Sequence, residues 1–161
     1  MPDPIHWRWH GGPVDPGPAV AFDMDGVLSD AAGRQHLLQR PRRDWDAFFE
    51  AVGEDRLVDE VARLLEVLDP HLRVVLLTAR PIRVQPQTLA WLASHELRWD
   101  LLVMRDRGDH GSAREFKRAA VQDLRQRGFE LRLAFEDDRR NVDMFHEEGV
   151  PCVYIHSGYY D

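Results

Sequence analysis

Lysine is almost missing from this sequence. Of its 21 cationic lysine and arginine positions, 20 are arginine and one, Lys117, is lysine. A position that keeps a compact ammonium amid so many planar guanidinium groups points to a site that needs a point charge. Cysteine is nearly as scarce. The single Cys152 excludes any disulfide within these residues and suits a reduced, cytosolic setting. No apolar run reaches the roughly 18 residues that a membrane-spanning helix needs, and the first residues carry no apolar signal core. A net positive charge is also lacking. The formal charge of −7 argues against unspecific electrostatic binding to nucleic acid, though not against a local basic groove. Finally, no GxxxxGK[ST] loop occurs, which excludes P-loop phosphate transfer from ATP by these residues.

What remains is an ordinary globular mixture, 43% hydrophobic and 30% charged over 161 residues, enough for one domain with a buried core. Residues 1–18 are rich in proline and glycine and read as irregular. Within them His6-Trp7-Arg8-Trp9-His10 mixes aromatic and cationic groups, a pattern of either a packed tail or a base-stacking segment. From residue 19 onward short apolar runs alternate with stretches of helical spacing. Strands are expected over 19–22, 73–77, 100–104, 131–135 and 152–155. Helices are expected over 45–52, 55–68, 86–97, 112–127 and 139–148. Ser112 with Glu115 three residues on has the pattern of a capping box. This alternation predicts a parallel five-stranded α/β sheet with right-handed crossovers and helices on both faces. In such sheets ligands bind at the carboxyl ends of the strands.

The residues at those ends are informative. The first strand ends in Asp23-Met24-Asp25-Gly26, the second in Thr78-Ala79-Arg80, the third in Arg105-Asp106-Arg107, and the fourth in Glu136-Asp137-Asp138. Carboxylates brought this close repel each other, and a hard divalent cation resolves the conflict. With no cysteine or histidine cluster to favour zinc, the set reads as a Mg²⁺ and phosphate site. Asp23 is placed to attack phosphorus, and Asp25 to act as general acid and then general base. A hydroxyl and an ammonium complement the phosphoryl oxygens.

The motif DMDGV resembles the first motif of the haloacid dehalogenase superfamily of phosphotransferases. Leu76-Leu77-Thr78 resembles its second motif, Lys117 its third, and Phe135-Glu136-Asp137-Asp138 its acidic fourth, in the same order. The resemblance implies a three-layer Rossmann-like fold, with residues 19–161 as one hydrolase domain. It implies catalytic roles for Asp23, Asp25, Thr78 and Lys117, and Mg²⁺ held by Asp23, Asp25, Asp137 and Asp138. The short spacing from Asp23 to Thr78 to Lys117 leaves little room for a lid, so a capless or minimally capped member is expected, open to a bulky substrate.

Thr78-Ala79-Arg80, Thr88-Leu89-Ala90-Trp91-Leu92, Met104-Arg105, Gly108-Asp109, Lys117, Glu136-Asp137-Asp138-Arg139 and Ser157-Gly158 resemble, more narrowly, the phosphatase domain of phage-type polynucleotide kinase/phosphatase. That resemblance implies removal of 3′-phosphates from polynucleotide ends. It implies substrate contacts from Arg80 and Arg105, with Arg107 and Asp109 beside them, and a separate kinase or ligase partner. Where that group tends to carry an aspartate ahead of the third-motif lysine, this chain has Ala113-Arg114. The alternatives are a small-molecule phosphatase such as a 5′-nucleotidase, roofed by residues 26–50, and an accessory binding module of a nucleic-acid repair system.

Overall fold

The structure, a computed structural model, describes residues 2–39 and 41–160. Met1 and Asp161, the outer ends of the two segments expected from the sequence, lie outside the described residues.

The five apolar runs are the five parallel strands of one sheet. They are β2 (Pro18–Phe22), β5 (Arg73–Pro81), β6 (Leu101–Arg105), β7 (Glu130–Glu136) and β8 (Cys152–Tyr154). Strand count is where expectation and structure differ. A sixth strand, β1 (Trp7–Trp9), comes from the segment read as irregular and pairs antiparallel with β6, so the sheet order is β1-β6-β5-β2-β7-β8. Aromatic packing outweighs the turn-forming composition around it. The Arg127 guanidinium lies 4.8 Å from the centre of the buried Trp7 ring, Trp9 stacks on Phe129, and His10 stacks on Trp99 at 4.5 Å. The packed-tail reading of this segment is therefore the one that the structure supports.

Strand alternation divides the core into two layers. Val20, Phe22, Val74, Leu76, Leu102 and Met104 face one way, onto α2 (Asp59–Val67) and α3 (Gln85–Ser94). Ala19, Ala21, Val75, Leu77, Leu101 and Val103 face the other way, onto α4 (Ala113–Gln126) and α5 (Arg139–Glu147). At the sheet centre Phe22 and Phe135 stack with ring centroids 4.4 Å apart. Ser112 caps α4 by accepting the Glu115 N–H, and Gly128, at φ +97°, turns the chain out of it.

The residues between β2 and β5 form a flap. It contains a two-stranded ladder of β3 (Ser29–Asp30) and β4 (Arg56–Leu57), 3₁₀ turns over Ala32–Leu37 and Val52–Glu54, and the short α1 (Trp45–Glu50). Asp44 caps α1 by accepting the Ala47 N–H. Residues 55–58 extend to join this ladder, so the helix expected from Asp55 begins instead at Asp59. Among the described residues no separate cap domain stands between β2 and β5, and no helix is long and apolar enough to cross a membrane.

Candidate active site

Because β2, β5 and β7 are parallel neighbours, their carboxyl ends open onto one edge. Asp23 follows β2 directly. Its N–H donates to the Phe135 carbonyl, and its own Oδ1 accepts the Met24 N–H at 2.8 Å. The backbone then turns sharply at Gly26, φ +82°. A Cβ there would stand 2.7 Å from Asp137 Cγ, so both the turn and the close approach of Asp137 require glycine.

Three carboxylates converge here. Oxygens of Asp23, Glu136 and Asp137 lie within 4.8 Å of one another, and all three residues are buried. One cation faces them. Lys117, buried on α4, places Nζ 3.0 Å from Asp23 Oδ1 and 2.7 Å from Glu136 Oε2. The single lysine of an arginine-rich chain thus sits where two carboxylates at the ends of different strands share one small charge. Three carboxylates against one ammonium leave an excess of two negative charges. Burial and the Glu136 charge push the Asp23 carboxyl well above the ordinary range, against the pull of Lys117. Burial lifts Asp137 to about 6, against hydrogen bonds with Asp23 and Ser157. Lys117 is desolvated, but Asp23 and Glu136 outweigh that and hold its ammonium charged.

Asp137 shows what this cluster lacks. Its Oδ2 accepts the Ser157 hydroxyl at 2.6 Å, while its Oδ1 is buried with no hydrogen-bond partner. A buried carboxylate oxygen left orphaned among like charges is a strong demand for a positive ligand. The ligand atoms on offer are all carboxylate oxygens, the kind that a hard divalent cation takes.

Two residues after Asp23, Asp25 belongs to a different group. Arg34 Nη2 reaches its Oδ1 at 2.6 Å and Arg80 Nη2 at 2.7 Å. Burial alone would raise its pKa, but Arg80 and then Arg34 reverse that and hold it at about 2. Both guanidiniums are themselves anchored by Asp55, at the foot of β4. Arg34 reaches it at 2.7 Å and Arg80 at 3.4 Å, and Ser29 also donates to Asp55. Arg80 donates further to Thr88 Oγ1 at 3.2 Å and to Ser29 Oγ at 3.2 Å. Two carboxylates and two guanidiniums make this group neutral.

The residues singled out from the sequence are thus divided. Asp23, Lys117 and Asp137 come together, and Glu136 joins them. Asp25 turns to the arginines. Asp138 spends its carboxylate on α5, accepting the Arg140 N–H at 3.0 Å as N-cap and pairing with the Arg140 side chain at 2.9 Å. Thr78, buried at the end of the straight part of β5, accepts the Arg80 N–H with its hydroxyl at 3.1 Å. Arg80, read as a substrate contact, has no exposed side chain in the structure and is occupied by Asp25, Asp55 and Thr88. Arg105 folds onto its own loop, donating to Asp109 Oδ1 at 3.1 Å and to the Gly111 carbonyl. Arg107 is exposed on that loop. Sequence reasoning passed over Arg34 and Asp55, which lie in the flap and carry no motif, and left Glu136 out of the acidic set although it sits in the fourth motif.

A family model described as "Polynucleotide kinase PNKP phosphatase domain" matches residues 17–160. No curated protein matches the chain. Among solved structures, a chain of the Pnkp1/Rnl/Hen1 complex is similar at 26% identity and a TM-score of 0.74, over 94% of this chain and 49% of that one. A chain of the Pnkp1/Rnl/Hen1 RNA repair complex is similar at 25% identity and a TM-score of 0.75, over 94% of this chain and 46% of that one. This chain therefore spans about half the length of those two. The class C acid phosphatase from Bacillus anthracis with tungstate bound shares the fold, at 13% identity and a TM-score of 0.60, over 91% of this chain and 69% of that one.

Proposed function

The chain belongs to the family of polynucleotide kinase PNKP phosphatase domains, phosphatases of the haloacid dehalogenase type, and from that premise we propose that it removes 3′-phosphates from polynucleotide ends through an aspartyl phosphate on Asp23. We read residues 19–161 as one hydrolase domain. The observation that carries the proposal is the oxygen-only acid cluster of Asp23, Glu136 and Asp137 around the single ammonium of Lys117.

Asp23, Glu136 and Asp137 would hold Mg²⁺. When bound, it offsets the excess negative charge and draws the phosphate oxygens towards Asp23. In the first step an Asp23 carboxylate oxygen bonds to phosphorus, the bond from phosphorus to the 3′-oxygen breaks, and that oxygen takes a proton from Asp25. In the second step water attacks the same phosphorus and gives its proton to Asp25. The bond to Asp23 breaks, and inorganic phosphate leaves. Lys117 stays charged throughout and faces the negative charge that builds on the phosphoryl oxygens. The Thr78 hydroxyl can donate to one of those oxygens. Asp25 is ionised and held by Arg34 and Arg80 in the observed arrangement. To serve as an acid it must leave that pair, take up a proton and turn towards the leaving oxygen.

The direct test is phosphate release from a 3′-phosphorylated oligonucleotide with Mg²⁺, against free nucleotides and sugar phosphates. Preference for the oligonucleotide is expected, and rapid turnover of free nucleotides with none of the oligonucleotide would refute the substrate assignment. Mass spectrometry of protein quenched during turnover should find the phosphoryl group on Asp23. One observation favours a second reading, a small-molecule phosphatase. A cleft of 590 Å³ lies within the flap itself, lined among others by Asp30, Arg34, His36 and Glu54, with Arg34 reaching from it to Asp25. The same substrate panel separates the two. The similarity to chains of Pnkp1/Rnl/Hen1 complexes supports a ligase or another end-repair protein as partner, and co-purification would test it.

A further inference from the structure

The residues after β8 return across the acid cluster. Ser157 donates to Asp137, Gly158 turns the chain at φ +85°, and the Tyr159 hydroxyl donates to Asp30 of the flap at 2.9 Å. This course tethers the segment to a strand tip on one side and to the flap on the other. Tyr160 follows at once. The Arg140 guanidinium lies 5.8 Å from the centre of its ring, and that arginine is held by Asp138 at the N-terminus of α5. The ring is nevertheless 54% exposed, too open to serve mainly as core. Beside it, the exposed Arg139 stands 5.0 Å from the centre of the Tyr154 ring, and Tyr154 meets His156 edge-on. Two tyrosines, each backed by an arginine, therefore flank the site. This is the alternation of flat rings and cations that suits unpaired bases and their phosphates, because every base has a stacking face and every linkage a negative charge.

We propose that Tyr160 and Tyr154, with Arg140 and Arg139 behind them, form a stacking platform for the terminal unpaired bases of a single-stranded polynucleotide whose end phosphate lies at Asp23. The inference rests on the proposed function and goes further, in naming the residues that make the enzyme prefer a strand to a small phosphate ester. Charge complementarity selects this occupant. Arg139 and Arg140 are both exposed beside the rings, a pairing that suits a polyanion with flat bases and not an apolar protein segment.

The test compares the intact chain with its Tyr160→Ala, Tyr160→Phe and Arg139→Ala variants. The substrates are a 3′-phosphorylated oligothymidylate and glycerol 2-phosphate, with Mg²⁺ and at two salt concentrations. The readout is the ratio of kcat/KM for the oligonucleotide to that for glycerol 2-phosphate. Tyr160→Ala should lower that ratio about tenfold or more at both salt concentrations, chiefly through KM, because a base loses its stacking partner. Tyr160→Phe should restore it. Arg139→Ala should flatten the salt dependence of oligonucleotide KM by about one unit of slope. An unchanged ratio in Tyr160→Ala, or an equal loss on both substrates, overturns the platform. If the unaltered chain hydrolyses glycerol 2-phosphate but no oligonucleotide, the functional reading falls first and the platform with it.

Discussion

Two clusters of charge, joined by the two-residue step from Asp23 to Asp25, behave in opposite ways. The first, Asp23, Glu136 and Asp137 with Lys117, has too few cations. The carboxyls of Asp23 and Asp137 are pushed up, and one oxygen of Asp137 has no partner. The second, Asp25 and Asp55 with Arg34 and Arg80, is balanced. Its Asp25 carboxyl is held at about 2. Carboxylates of one type, two residues apart in sequence, thus diverge according to the number of cations within reach. The unbalanced cluster is built to receive something. The balanced one is built to stay as it is until something displaces it.

The largest test of this contrast is Asp23→Asn. Turnover should fall by on the order of 10⁴-fold or more, as when an enzyme loses its nucleophile. In EDTA the variant should melt no lower than the unaltered chain, because one of three mutually repelling carboxylates has been neutralised. A marked loss of stability would mean that the cluster is structural after all.

Asp55→Asn should show the reverse. It leaves two buried guanidiniums with one carboxylate, and breaking such a pair costs about 3–5 kcal/mol. Thermal melting should drop by about 10 °C, and the loss of turnover should be smaller than in Asp23→Asn.

Third comes the cation. Asp137, at about 6 in the folded chain, lies above its ordinary value. A raised carboxyl favours the folded state at low pH, and that contribution is lost as the pH climbs through about 6. Mg²⁺ needs the ionised form, so its benefit has the opposite slope. The gap in melting temperature between Mg²⁺ and EDTA should be about 5 °C at pH 8 and near zero at pH 5. A gap of equal size at both pH values would remove Asp137 from the cation site.

The smallest effect concerns Asp138, which was grouped with the metal carboxylates on sequence and caps α5 in the structure. Asp138→Ala should cost about 1 kcal/mol of stability, and Asp138→Asn almost nothing, since asparagine caps as well. Denaturant unfolding would resolve the two.

The sheet and most helices were legible because apolar runs bounded by turn residues have few other readings. The capping of α4 by Ser112 followed from local chemistry alone. The edge strand at Trp7–Trp9 was not legible, since its formation depends on Phe129, Trp99 and Arg127, partners distant in sequence. The same limit governed the site. Asp23, Lys117 and Asp137 announce themselves through motifs at strand ends and by the rarity of lysine. Arg34 and Asp55 do not, because a flap arginine in a chain with 20 of them carries no local mark. The assignment of Asp25 to one cluster or the other is a contest between cations, and spacing along the chain cannot decide it.

The antiparallel clasp of Trp7–Trp9 on β6 has a practical consequence. A shortened chain starting at Pro18 would keep every group discussed for catalysis. It would also lay bare the hydrogen-bonding row of Leu101–Val103, an apolar border ready to zip onto a second molecule. Trimming those residues as an idle leader should yield a protein that clumps on storage while each dissolved copy still turns over.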